Sequence, residues 1–314
     1  MRGFKKLLPI FDESGRLVSF KSPARKTVWN NFKLSADEVP SADNESGIYA
    51  LFDPKDVQLG YYSGVLVELD VYGVVVIGET GLRAEHARII SWDEADLAYY
   101  HARRFGPSDA TRAAACVDAE HAYLYAVEVD RCAHDDTRAA ACKSPKYAHW
   151  YAYNADRAPR DDTRAAACMD AEQAYWYARD VDNAPRDDTR AAACGSAEYA
   201  YRYALYVDRA PRDDTRAAAC MDAEQAYWYA YDVDHAPRDD TRAAACKSSR
   251  WAYEYALNVD CAARDDTRAA ACRDAETAYM YARDVDRCTR DDTRTAAYMD
   301  AEIACLYACC VPCG

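Results

Sequence analysis

Three groups of side chains in this chain are of types that do chemistry. The first lies in "CLYACCVPCG", where Cys305, Cys309, Cys310 and Cys313 offer four thiolates and a C-x-x-C pair. Soft sulfur ligands suit zinc, yet a second separated pair is missing, so the cluster is read as drift in a decaying terminal repeat with a metal site as the alternative. The second group is acidic: Asp180, Asp182, Asp187 and Asp188 surround one turn, and equivalents recur along the chain. Four hard oxygens suit calcium, but the turn has no glycine and lacks EF-hand spacing. The acids are read instead as an ion-pair ladder with Arg186 and Arg190, which is weak where the pairs are exposed. Asp182 ends a helix and opposes its dipole, so an Arg from an adjacent copy is expected to offset it. The third group, Glu79, Arg83, Glu85 and His86, is the densest polar set near the N-terminus and the place for an active site if the protein has one. No phosphate-cradling glycine loop, H-E-x-x-H or G-x-S-x-G occurs, and the 6 histidines are scattered. No catalytic residue, cofactor or metal is predicted, and the protein is read as more a non-enzyme than an enzyme.

The elements that would position these groups are repeats. "RDDTRAAACMDAEQAYWYA" at Arg160 to Ala178 returns at Arg212 to Ala230, and Cys116, Cys142, Cys168, Cys194, Cys220, Cys246 and Cys272 recur every 26 residues, with Tyr298 in the eighth place. A fixed period of this length marks one supersecondary unit stacked on the next. In "AEQAYWYARDV", Ala174, Tyr177, Ala178 and Val181 fall at helical spacing. The slot before it holds Asp118, Ser144, Asp170, Ser196, Asp222, Ser248, Asp274 or Asp300, residues that share little except helix N-capping. "DDTRAAAC" predicts a shorter helix with carboxylates at its positive end, and Pro159, Pro185, Pro211 and Pro237 separate it from the helix before. The expected product is an α-solenoid of about eight helix-turn-helix units over 92–314, on the order of 80 Å long. "LAYYHARRFGP" from Leu97, with an exit two residues short, reads as its first cap, and "IACLYACC" as its last. The cysteine slot is read as small, buried and too widely spaced between copies for disulfides.

Residues 1–91 read as a small α+β module, with β-rich runs "RLVSF", "GIYALF", "GVLVELDV" and "YGVVVIGE", a short helix in "DPKDVQLGYY", and no flexible linker before the array. Of the net charge of -14, residues 1–90 hold 11 Lys+Arg against 12 Asp+Glu, so the array is the acidic body. Direct binding of nucleic acid is unlike such a surface, and a basic partner suits it better. The N-terminus has neither a secretory signal nor an apolar run long enough for a membrane helix, which predicts a cytoplasmic protein in a reducing compartment.

Variation between copies marks a surface. Gln173 has Tyr147, Tyr199, Gln225, Trp251 and Thr277 among its equivalents, and Trp176 has Leu124, Trp150, Arg202, Trp228, Glu254 and Met280. The two slots lie three residues apart on a helix flank, and substitution of Trp by Arg or Glu points to an exposed or half-exposed position. All of these except Thr277 and Glu254 form the candidate binding surface. The "AYWYA…DVD" helix in a 26-residue unit, behind a β-rich module ending in "RAEHARI", resembles a family of uncharacterised bacterial and phage helical-repeat proteins. That resemblance implies the fold and no catalytic residues. The expected function is a non-enzymatic scaffold binding another protein or copies of itself. The alternatives are an acidic decoy that imitates nucleic acid, and an enzyme with its site in residues 1–91.

Overall fold

The computed structural model describes residues 1–23, 27–37, 39–41, 46–58 and 64–312. Two compact units divide the chain, Met1–Asp156 and Arg157–Gly314. In the first, six antiparallel strands run over Arg2–Phe11 (β1), Leu17–Lys21 (β2), Lys33–Ser35 (β3), Ile48–Leu51 (β4), Val65–Ile77 (β5) and Gly81–Trp92 (β6). Strands β4 and β5 each pair with both β1 and β6, which closes a small barrel, while β2 and β3 extend it on β1 and β6. Val65, Val67, Leu69 and Val71 alternate inward along β5 and meet Leu7, Phe20, Trp29, Ala84 and Ala87 in the core. Glycine permits the closure at β4: a Cβ on Gly81 would stand 2.5 Å from the Ala50 carbonyl oxygen, and one on Gly3 2.8 Å from the Ala50 Cβ.

Sequence periodicity misses β1, β3 and β6 and splits β5 in two. In β1 the buried positions Gly3, Leu7 and Phe11 are four apart, so no period of two is visible. A bulge between Tyr72 and Val75 breaks the alternation of β5 without ending the strand. The short helix Pro54–Gln58 (α1) follows Asp53, whose Oδ1 accepts from the Lys55 N–H at 2.8 Å.

Strand β6 runs directly into Glu94–Phe105 (α2), capped by Asp93. Leu97 and Tyr100 pack on the barrel core, and Asp96 Oδ2 accepts the Leu66 N–H at 2.8 Å. After α2 the chain is an α-solenoid. A short helix such as Asp187–Ala193 is followed by a long one such as Ala197–Tyr203, whose last turn, Ala204–Asp208, widens into a π-helix. The π-turns end on left-handed residues, Arg131, Arg157, Asn183, Arg209, His235, Cys261 and Arg287, with φ between 50 and 57°. Helix α2 has no π-turn and stops at Gly106, which accounts for its exit being two residues shorter.

Two expectations need correction here. All eight predicted capping residues precede a helix in extended backbone, but among them only the Asp side chains accept N–H groups; Ser144, Ser196 and Ser248 make no such bond. The cysteine slot is half-buried rather than buried, since it caps the C-terminus of the short helix at the edge of the packed layer. Burial still pushes the Cys168 and Cys194 thiols up to about 11, which leaves them as unreactive thiols at neutral pH.

Candidate interaction surface

Two constant devices hold the helices so that the variable slots face outward. The first is a tyrosine clamp. Arg186 is the N-cap of its short helix but gives no side-chain cap; instead the Tyr203 hydroxyl, arriving from the next helix, accepts the Arg186 N–H at 2.9 Å and donates to the Arg186 carbonyl at 3.1 Å. Thr189 Oγ1 completes the triangle at 2.8 Å. The same triangle recurs in every unit, from Tyr125 with Thr111 to Tyr307 with Thr293. Both members are fully buried through most of the array, as Tyr203 and Thr189 are. The second device is an ion pair. Arg190 spans Asp208 with both Nε and Nη2, at 2.9 and 2.8 Å, while its Nη1 reaches the exposed Asp187. Its side chain is 6% exposed and that of Asp208 3%, so the pair is interior, not the exposed ladder expected from sequence.

The offset expected for Asp182 comes from its own copy and not from an adjacent one: Arg164, on the short helix of the same unit and the equivalent of Arg190, binds it at 2.9 Å. Asp180, by contrast, pairs with Arg179. The repeated acids therefore have separate partners rather than a shared centre. One copy departs from the pattern. Arg216 turns its Nε to Asp240 at 2.9 Å and keeps only a 3.4 Å contact with Asp234, whose Oδ2 is buried without a hydrogen bond and whose carboxyl burial raises above the usual range.

On this frame, slot 176 of one unit meets slot 173 of the next. Trp176 and Tyr199 pack against the core formed by Tyr175 and Tyr203, Trp228 stands 6.2 Å from Trp251, and Met280 packs beside Ile303. In Met1–Asp156, Tyr147 and Trp150 meet edge to face at 5.7 Å, and Tyr123 lies within 6 Å of each. Leu124, Gln173, Arg202 and Gln225 are half-buried in their slots. Trp150 is the most open of these rings at 38% exposure. Thr277 differs: it is buried, with its hydroxyl on Asp274 at 2.6 Å, so small side chains in this slot sink below the row. Carboxylates flank the rings, with the Trp176 and Trp228 indole N–H groups on Glu172 and Glu224. The Tyr199 hydroxyl is pushed up to about 12 by burial and by Glu172.

No known protein family, characterised protein or solved structure matches the chain. The fold subsists here as helical repeats of about 26 residues behind a β-rich part, and the reading of the surface rests on its geometry.

Sequence reasoning missed a row of contacts beside these slots. The tyrosine two residues before the clamp tyrosine reaches the residue 31 positions on: Tyr201 donates to Asp232 at 2.6 Å, Tyr253 donates to Asp284 at 2.9 Å, and Tyr227 accepts from Asn258 at 3.2 Å. The recurrence of Asp or Asn at that offset was a visible signal.

The remaining candidates lie apart from this surface. Cys305, Cys309 and Cys310 are exposed on the last helix, and Cys313 lies outside the described residues. Glu79 and Arg83 line a cleft of about 670 Å³ in the barrel unit together with Lys6, Asp37, Tyr49 and Asp56. Glu85 and His86 face elsewhere, Glu85 to the Val74 N–H and His86 to Ser35 Oγ at 3.0 Å, so the four do not form one site.

Among the described residues, Asp93, Asp96 and His121 are the one group of three spaced to hold a metal ion. Their contacts suit a protonated imidazole: His121 Nε2 lies 2.9 Å from Asp96 and Nδ1 3.0 Å from Asp118. Burial alone would lower the His121 pKa, but the hydrogen bonds and charges of Asp96 and Asp118 outweigh it and hold it at about 9, above the ordinary 6.5. A raised histidine stabilises the fold fully below pH 6.5, and that contribution is lost as pH rises through 9. Thermal melts of the full chain between pH 6 and pH 9.5 should show this loss, and His121→Gln should remove that part of the slope. An identical slope in the variant excludes the imidazolium.

Proposed function

We propose that the solenoid is a non-enzymatic scaffold that binds protein through its row of half-buried aromatic side chains. The observation that carries this reading is the seating of rings from successive units against one another, as with Trp228 and Trp251, while their edges stay open to solvent. Large apolar rings held in a fixed row offer contact area with little loss of side-chain freedom on binding. Carboxylates at the rim favour a basic partner. Repetition then has a use, since each added unit lengthens one interface without a new core.

A second reading is supported by a different set of side chains. Asp135, Asp161, Asp187, Asp213, Asp239, Asp265 and Asp291, the first residues of successive short helices, are each at least 92% exposed. Exposed carboxylates recurring every 26 residues suit a decoy that occupies a basic cleft. The arginine bound to each acid weakens that reading.

Light scattering over a concentration series, combined with capture of basic proteins at low and high salt, tests both. The scaffold reading expects association, with itself or with a partner, that persists at high salt and is lost when Trp150, Trp176 and Trp228 are all changed to Leu. Association that survives those changes but falls steeply with salt overturns it in favour of the decoy.

A further inference from the structure

The segment from Asp156 to Asp182 returns from Asp208 to Asp234 with a single change, Arg179 to Tyr231. The protein thus carries the same aromatic framework with and without its own cation. In the first copy the Arg179 guanidinium lies 3.9 Å from the Trp176 ring centroid and 5.6 Å from that of Tyr175, and pairs with Asp180 at 2.7 Å. In the second, Tyr231 stacks on Tyr227 at 5.9 Å and meets Trp228 edge to face at 6.2 Å. The following helix swaps its charges, with Glu198 and Arg202, which pair at 2.7 Å, replaced by Arg250 and Glu254. Arg202 lies over Tyr199, and Glu254 comes three residues after Trp251.

Elsewhere in the array the rings of this row carry cations of the chain itself. Lys146 lies 4.6 Å from the Trp150 centroid and Arg283 5.1 Å from that of Tyr279. Arg250 lies over Trp251 at 5.2 Å, at the margin of the second framework. Among the described residues, no guanidinium or ammonium lies over Trp228 or Tyr231, and Glu224, Asp232 and Glu254 form no salt bridge. Tyr231 is 46% exposed, so the cluster opens to solvent.

We propose that Tyr227, Trp228, Tyr231 and Trp251 form a receptor for an arginine side chain of a basic partner protein. The rings supply the quadrupole field and the three carboxylates the negative charge, Asp232 being the counterpart of the Asp180 that Arg179 neutralises in the sister copy. Arginine fits better than lysine because its guanidinium is planar, weakly hydrated and stacks on aromatic faces. This inference rests on the array being a protein-binding scaffold and identifies where on the array, and by what chemistry, a partner is held.

The two copies also provide the variants. Tyr231→Arg installs the cation of the sister copy, and Arg179→Tyr removes it there; each copies a side chain the chain already places at that slot, so both should fold, as circular dichroism melts will check. Calorimetric titration of the full chain with hexa-arginine, and with hexalysine at equal charge, is the measurement. Hexa-arginine should bind more tightly than hexalysine and keep that preference in about 0.5 M salt, where long-range attraction is screened. Tyr231→Arg should weaken binding about tenfold or more, and Arg179→Tyr should move the stoichiometry from one towards two. Equal binding of the two peptides, or unchanged affinity in Tyr231→Arg, overturns the proposal. Binding that survives Tyr231→Arg but is lost in Trp176→Leu places the contact elsewhere in the row, so this receptor falls while the scaffold stands. A concentration-dependent dimer that Tyr231→Arg dissolves makes the occupant a second copy of this chain and likewise overturns the assignment to a partner.

Discussion

Arg190→Gln is expected to destabilise the unit Arg157–Gly314 by about 3–5 kcal/mol, the cost of leaving a buried charge without its partner. The Asp208 carboxylate has little access to water, and Arg190 supplies its nearest hydrogen bonds through Nε and Nη2. The Asp208 hydrogen bonds raise the Arg190 pKa further above its ordinary value, so the guanidinium stays charged at any pH at which the protein is folded. Glutamine is too short and uncharged to replace the two-point contact. The guanidinium also lies 5.7 Å from the Tyr203 ring centroid, so its loss disturbs the clamp beside it. Removing both charges should behave differently. Arg190→Met with Asp208→Leu is expected to recover most of the loss, because an apolar pair of similar volume carries no desolvation cost. Urea denaturation of wild type, single and double variants is the measurement. A loss below about 1 kcal/mol in Arg190→Gln would mean that the pair behaves as an exposed one. The chain contains its own reference: Arg294, in the last unit, has Pro312 where the paired Asp would be and a half-exposed side chain, so Arg294→Gln should change stability far less.

Tyr203→Phe, which removes one oxygen, is expected to cost about 1–3 kcal/mol. The ring stays and its apolar packing is unchanged. What is lost is the group that satisfies both the N–H and the carbonyl of Arg186 and closes on Thr189. A helix start without a side-chain cap needs its free donors met by something, and here water is excluded by the packing around a fully buried Tyr203. Tyr206→Phe is the control, since Tyr206 is 54% exposed. A midpoint for Tyr203→Phe equal to that of Tyr206→Phe would show that water replaces the hydroxyl. The clamp also explains the composition. A chain with 26 Tyr and 6 Phe uses the hydroxyl once per unit as a capping group, not merely the ring as filler.

Much of the repeat fold was legible from the chain alone, because helix periodicity, capping residues and an unbroken spacing are local properties. The period of 26, the Asp/Ser slots before each long helix and the prolines between helices place the units correctly. The barrel was less legible. Strand β1 buries every fourth residue and β6 alternates Arg83 and Glu85 with alanine, so neither shows the apolar alternation by which a strand is recognised.

Within the array, sequence also marked the variable slots as a surface, since positions that accept Trp, Arg and Glu alike are not closed core. It did not show that Trp228 and Trp251, 23 residues apart, share one cluster, because that depends on how successive long helices stack. Nor did it distinguish the two acids of one turn. Asp182 and Asp180 are two residues apart and look alike in the chain, yet one is held inside by Arg164 and the other pairs at the surface with Arg179. Local residue types determined where each helix starts, where it stops and which face is variable. Only the tertiary structure decided which carboxylates are buried, which tyrosines cap a neighbouring helix and which rings meet, because those depend on partners 14 to 31 residues away brought together by the π-turn and the stacking of units.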